Sequence, residues 1–210
     1  MKYKAIIFDL DGVVVSTDNC HYEAWKMLAD EEGIYFDRTI NERLRGVSRM
    51  ESLEIVLERS QKEYSEDEKL EMATRKNGYY VERVKAIDNS AILPGAEDFI
   101  KRAKDCGIKV AIGSSSKNTK LILLQTGITD LFDAVADGND IKNSKPAPDV
   151  FLKAAQKLGI APSDCMVVED ADAGIEAALN AGMDVLAVGY AKTNPKATYS
   201  ADNLKEATLA

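Results

Sequence analysis

The sequence is poor in cysteine, short of positive charge and without any long apolar run, and each shortage narrows what it can be. Cys20, Cys106 and Cys165 are odd in number, far apart and form no Cys-x-x-Cys. Neither a disulfide framework nor a thiolate zinc site is indicated, and a reducing, cytoplasmic setting fits. Lys and Arg total 27 against 35 Asp and Glu, a net charge of -8. That sign disfavours nucleic acid as a general ligand. It leaves room for a small phosphorylated molecule, which a few local cations, a metal and backbone N–H groups can hold. The apolar stretch before Phe8 is too short for a signal peptide or a membrane span and runs into acid. No internal repeat or low-complexity segment interrupts the chain.

The 210 residues are 45% hydrophobic, enough for one substantial core, or a core with a small accessory domain. The apolar run Ala5 to Phe8 breaks into Asp9-Leu10-Asp11-Gly12, as a buried strand does on entering a loop. From about residue 95, strand and helix patterns alternate. The expected strands cover 109–113, 133–136, 165–169 and 184–188; the expected helices cover 95–106, 118–126, 147–158 and 172–181. Gly107, Gly127, Gly159 and Gly182 each lie just past a helical pattern, where a left-handed cap is wanted. This rhythm implies an α/β fold: a Rossmann-like parallel sheet covered on both faces. Residues 16–87 break the rhythm with an all-helical pattern, in which Ser48 with Glu51 and Ser65 with Glu68 make Ser-x-x-Glu capping boxes. The expected division is a core of 1–15 and 88–210 with an inserted helical cap of 16–87, able to act as a lid.

Asp9 and Asp11 flank Leu10 at the end of a buried strand, so both carboxylates can reach the crevice where such sheets bind ligands. A second acidic pair, Glu169-Asp170, follows another apolar strand. Two such clusters favour a shared Mg2+, which takes hard oxygen ligands and offsets their repulsion. The bland reading has Asp170 or Asp172 merely capping the next helix. Between the pairs, Ser114-Ser115-Ser116-Lys117-Asn118 offers hydroxyls and amides at a helix start, a cradle for phosphoryl oxygens. Lys145 precedes Pro146, which restricts its backbone and can aim the ammonium inward. In the cap, His21 and Trp25 are four apart on one helical face. Arg49 falls in the first turn of the helix that Ser48 caps, where the macrodipole disfavours a cation unless an anion sits nearby.

The order of these elements, Asp-x-Asp-Gly, serine, lysine, acid pair, resembles the haloacid dehalogenase superfamily over nearly the whole chain. That resemblance implies that Asp9 attacks phosphorus and becomes an aspartyl phosphate, while Asp11 serves as acid and base. It implies Mg2+ held by Asp9, the main-chain carbonyl of Asp11 and Asp170, with Glu169 alongside. Ser114 and Lys145 would hold the transferring phosphoryl. The cap resembles the β-phosphoglucomutases in His21, Trp25, Arg45-Gly46-Val47-Ser48-Arg49, Ser52 and Arg75-Lys76-Asn77. This implies that Arg49 grips the phosphate not being transferred, that Lys76 and His21 help place the sugar and Asp11, and that Thr17 lies at a hinge. Ser16, Cys20 and Ser115 stand where that group has aspartate, tyrosine and alanine.

The implied reaction interconverts β-D-glucose 1-phosphate and glucose 6-phosphate, with glucose 1,6-bisphosphate as intermediate and activating donor. The expected partner is a small phosphorylated sugar, with no nucleic acid, no membrane and a monomeric state. Two other readings stay open: a Mg-dependent sugar-phosphate phosphatase, and a non-catalytic phosphosugar-binding protein. The tail after about 190 is weakly patterned and lacks a clear final helix.

Overall fold

The computed structural model describes residues 2–44 and 47–209; Arg45 and Gly46 lie outside the described residues. In chain order the elements are β1 (Ala5–Phe8), α1 (Asp18–Glu31), α2 (Arg38–Glu42), α3 (Arg49–Leu57), α4 (Glu66–Val84), α5 (Ala96–Asp105), β2 (Lys109–Gly113), α6 (Thr119–Thr126) and β3 (Ala134–Ala136). Then follow α7 (Asp149–Leu158), β4 (Cys165–Glu169), α8 (Asp172–Asn180), β5 (Asp184–Ala187) and β6 (Tyr199–Ser200). The chain divides into two compact units, one of Met1–Ser16 with Ile87–Ala210 and one of Thr17–Ala86.

The first unit is a six-stranded sheet in the order β3-β2-β1-β4-β5-β6, with every pairing parallel. Its central strands read Ala-Ile-Ile-Phe, Lys-Val-Ala-Ile-Gly and Cys-Met-Val-Val-Glu, and all but Lys109 of these residues are buried. Runs of that kind suit a sheet packed on both faces, where no solvent side calls for alternation. One apolar cluster joins Ile7, Val167 and Val185 of the sheet to Phe151 and Ala154 of α7 and Ile175 of α8. The expected helix-ending glycines, Gly107, Gly127, Gly159 and Gly182, all take positive φ.

The strand β6 was not legible beforehand. Two residues are too few for a periodic signal, and the strand is defined by pairing, Leu186 with Tyr199 and Ala187 with Ser200. The Tyr3 and Tyr199 hydroxyls, 3.1 Å apart, anchor it. Among the described residues no α-helix follows α8.

The second unit contains α1 to α4 and no strand among its described residues. Both capping boxes form: Ser48 Oγ accepts from Glu51 N and Ser65 Oγ from Glu68 N, while each glutamate accepts from the serine's own amide. Trp25, Leu28, Phe36, Leu53 and Met72 make its core. Arg75 of α4 pairs with Glu31 and Glu32 at the end of α1, at 2.9 and 2.6 Å.

Candidate active site

Sheet register brings the acidic groups together. Phe8 pairs with both Ile112 and Val168, so the next residues along the three strands are Asp9, Gly113 and Glu169. The ladder continues through Asp9, whose N–H donates to Val168 O at 2.9 Å. Leu10 is fully buried. Asp11 is half-buried, and its charge acts on both Asp9 and Asp170.

Lys145 organises the charges. Its Nζ donates to Asp9 Oδ1 and to Glu169 Oε1, each at 2.5 Å, and stands 4.7 Å from the centre of the Phe151 ring. Only 9% of its side chain is exposed. Burial opposes its charge, but Asp9 and Glu169 outweigh that and raise its pKa. The other oxygen of Glu169, Oε2, accepts from Asp170 N at 2.7 Å and Ala171 N at 2.9 Å. Both Glu169 oxygens are thereby engaged, just ahead of α8. The capping role considered for Asp170 and Asp172 is not what the structure has: the α8 N-cap is Ala171.

The donor set fits a divalent cation. Asp9, Glu169 and Asp170 each offer a carboxylate oxygen, all within 4.8 Å of one another, and one ammonium pairs with two of them. Burial first, then the charges of Glu169 and Asp11, push Asp9 up to about 7 against the pull of Lys145. Burial first, then Glu169, Asp9 and Asp11, push Asp170 up to about 8. Carboxylates crowded in this way lack positive charge, and Mg2+ supplies it with the hard-ligand chemistry that oxygen donors suit. Gly12 leaves room for Asp170: at φ +87°, a Cβ there would stand 2.1 Å from Asp170 Oδ2.

The serine segment is wound into two small turns. Ser114 Oγ accepts from Ser116 N and Ser116 Oγ from Asn118 N, both at 3.2 Å. Ser114 is buried and Lys117 exposed. Ser115 Oγ is buried with no hydrogen-bond partner among the described residues.

In the helical unit the structure gathers His21, Trp25, Lys76 and Thr17 around a residue the sequence reading passed over, Tyr80. Lys76 donates to His21 Nδ1 at 3.0 Å and lies 4.6 Å from the Trp25 ring and 4.9 Å from the Tyr80 ring. The Tyr80 ring lies 4.1 Å from that of His21, and its hydroxyl is 2.9 Å from Thr17 Oγ1. The available signal was spacing: Lys76 and Tyr80 are four apart on α4, as His21 and Trp25 are on α1. Burial first, then the charges of Lys76 and Arg49, hold His21 well below 6.5. Arg49 is partly buried, which lowers its own pKa, and among the described residues it makes no ion pair. Ser52 is buried, Asn77 half-buried and Val47 exposed, while Ser48 serves as the helix cap. Gly46, expected here, lies outside the described residues.

Comparisons with known proteins agree with this geometry. Residues 3–182 match the haloacid dehalogenase-like hydrolases. The chain is 43% identical to a β-phosphoglucomutase of Bacillus subtilis (strain 168), over 89% of this chain and 83% of that one. It is 31% identical to a fructose-1-phosphate phosphatase of Escherichia coli (strain K12), over 89% of this chain and 97% of that one. A crystal structure of a β-phosphoglucomutase from Clostridium difficile superposes with a TM-score of 0.88 at 43% identity, over 97% of this chain and 92% of that one.

Two measurements check the charge arrangement. Mg2+ at about 100 times its Kd is expected to add about 2.7 kcal/mol to the unfolding free energy, read as a rise in Tm that EDTA reverses and Asp170→Asn largely removes. No rise in the parent protein would contradict the donor set. His21, neutral in the fold, takes up a proton near pH 6.5 only when unfolded, so stability is lost as pH falls through that value. Against the parent, His21→Gln is expected to flatten the loss by up to about 1.4 kcal/mol per pH unit below 6.5 in urea unfolding. The comparison isolates the imidazole from Asp9 and Asp170, whose raised values act with the opposite sign.

Proposed function

The chain belongs to the haloacid dehalogenase-like hydrolase family, and from that premise we propose that it is a β-phosphoglucomutase. It interconverts β-D-glucose 1-phosphate and glucose 6-phosphate through glucose 1,6-bisphosphate, which also serves as the activating phosphoryl donor. The observation that carries the reading is Arg49, a partly buried cation in the first turn of α3 with no ion-pair partner among the described residues. A hydrolase acting on one phosphate has little use for a second anion grip; a mutase handling a bisphosphate requires one.

Asp9 is the nucleophile: a carboxylate oxygen attacks phosphorus, the P–O bond to the sugar breaks, and the sugar oxygen leaves with a proton from Asp11. In the other half Asp11 takes the proton from the 6-hydroxyl of β-D-glucose 1-phosphate, whose oxygen attacks the aspartyl phosphate to form glucose 1,6-bisphosphate and free Asp9, and the bisphosphate turns round so that Asp9 next takes its 1-phosphate. Lys145, held between Asp9 and Glu169, neutralises charge that grows on the phosphoryl oxygens. Ser114 and, from the segment 115–118, the Lys117 amide hold the same oxygens. Bound Mg2+, held by Asp9, Asp170 and the Asp11 carbonyl with Glu169 alongside, supplies Lewis-acid stabilisation of the phosphoryl group.

Arg49 holds the phosphate not being transferred, and Lys76 with His21 places the sugar and Asp11. Burial and the nearby charge of Lys76 keep His21 neutral. Trp25, Val47, Ser48, Ser52 and Asn77 line the sugar, and Thr17 is a hinge of the helical unit, which acts as a lid excluding water. The protein works as a cytoplasmic monomer.

A second reading, a sugar-phosphate phosphatase, draws on the 31% identity to a fructose-1-phosphate phosphatase. One assay separates the two. With β-D-glucose 1-phosphate, Mg2+ and a trace of glucose 1,6-bisphosphate, glucose 6-phosphate is expected to form at least tenfold faster than free phosphate, and Asp9→Asn is expected to form neither. Free phosphate as the main product would replace the mutase with the phosphatase.

A further inference from the structure

At the end of β3, the turn Asp137-Gly138-Asn139-Asp140 is more heavily bonded than a surface loop needs. Asp137 is fully buried. Its Oδ1 accepts from Asn139 N at 2.8 Å, its O accepts from Asp140 N at 2.9 Å, and its N–H donates to Asp140 Oδ2 at 3.0 Å. Lys157 of α7 then ties the turn to the strand, donating to Asp140 Oδ2 and to Val135 O, both at 2.7 Å.

This turn holds the back of the serine segment. Gly138 N donates to Ser116 O at 3.1 Å, and Asn139 Nδ2 donates to Lys117 O at 3.1 Å. The approach is close enough to require glycine: a Cβ at position 138 would stand 2.3 Å from Ser115 O. In a trans peptide the C=O and the following N–H point in opposite directions. Tying the Ser116 and Lys117 carbonyls to the turn therefore directs the Lys117 and Asn118 amides away from it. Asn118 N meets Ser116 Oγ, which leaves Lys117 N–H to an anion. The carbonyls, which would repel that anion, are held at the rear.

We propose that the turn Asp137–Asp140 sets the orientation of the phosphoryl cradle at residues 114–118, with Asn139 as its positioning residue. Asn139 touches no substrate and acts through the Lys117 carbonyl. The inference rests on reading residues 114–118 as the phosphoryl cradle, and it assigns to this chain's own Gly-Asn-Asp sequence the task of fixing it.

The test is direct binding of inorganic phosphate to the Mg2+-loaded protein, followed by calorimetry, for the parent, Asn139→Ala and Ser114→Ala. Asn139 is exposed, so its truncation is expected to leave Tm within about a degree and Mg2+ affinity unchanged, because the metal-binding carboxylates sit on other strands. Loss of one neutral hydrogen bond is expected to weaken phosphate binding about three- to tenfold. A change in phosphate affinity with Tm and Mg2+ affinity held separates positioning from a general loss of structure. Unchanged phosphate affinity in Asn139→Ala, beside a clear loss in Ser114→Ala, would overturn the role of the turn alone. Unchanged affinity in both would overturn the cradle reading and the inference with it.

Discussion

A buried ammonium between two carboxylates is the constraint on which the catalytic unit depends. Lys145 stands 2.5 Å from both Asp9 and Glu169, and those residues end neighbouring central strands, β1 and β4. Removing one partner from such a pair leaves buried charge without compensation, which costs about 3–5 kcal/mol. The pair is tolerated because its remaining lone pairs are used: Glu169 also accepts the backbone amides of Asp170 and Ala171. One ammonium thus ties the end of β1 to the end of β4 and holds Asp9 and Glu169 in place beside each other.

The two units present charge problems of opposite sign. Around Asp9, Glu169 and Asp170 negative charge is in surplus, and burial lifts Asp9 and Asp170 toward neutrality. In the helical unit Arg49 lacks an ion pair among the described residues, and Lys76 sits under the Trp25 and Tyr80 rings with His21 held neutral. A divalent cation answers the first and a phosphate the second.

Much of this was legible in the sequence, for identifiable reasons. The central strands are continuous apolar runs ending in acid, and such runs state their burial and their exit point together. Both capping boxes carry an explicit Ser-x-x-Glu spacing and form as read. The features that escaped are those defined by a partner elsewhere in the chain. β6 is two residues long and exists by pairing with β5. Tyr80 looks like any core aromatic until His21 and Thr17 are placed against it. The turn at Asp137–Asp140 carries the Gly-Asn composition of any surface loop, and its grip on residues 116 and 117 appears only when β2 and β3 lie side by side.

The central claim is that Asp9 carries the phosphoryl group, poised by Lys145. It is tested most directly by mixing the Mg2+-loaded protein with radiolabelled glucose 1,6-bisphosphate, quenching in acid within milliseconds, and mapping the acyl phosphate by mass spectrometry. The account predicts label on Asp9 in the parent protein and none in Asp9→Asn. Label on another residue, or turnover to glucose 6-phosphate with no labelled protein at any time, would contradict it.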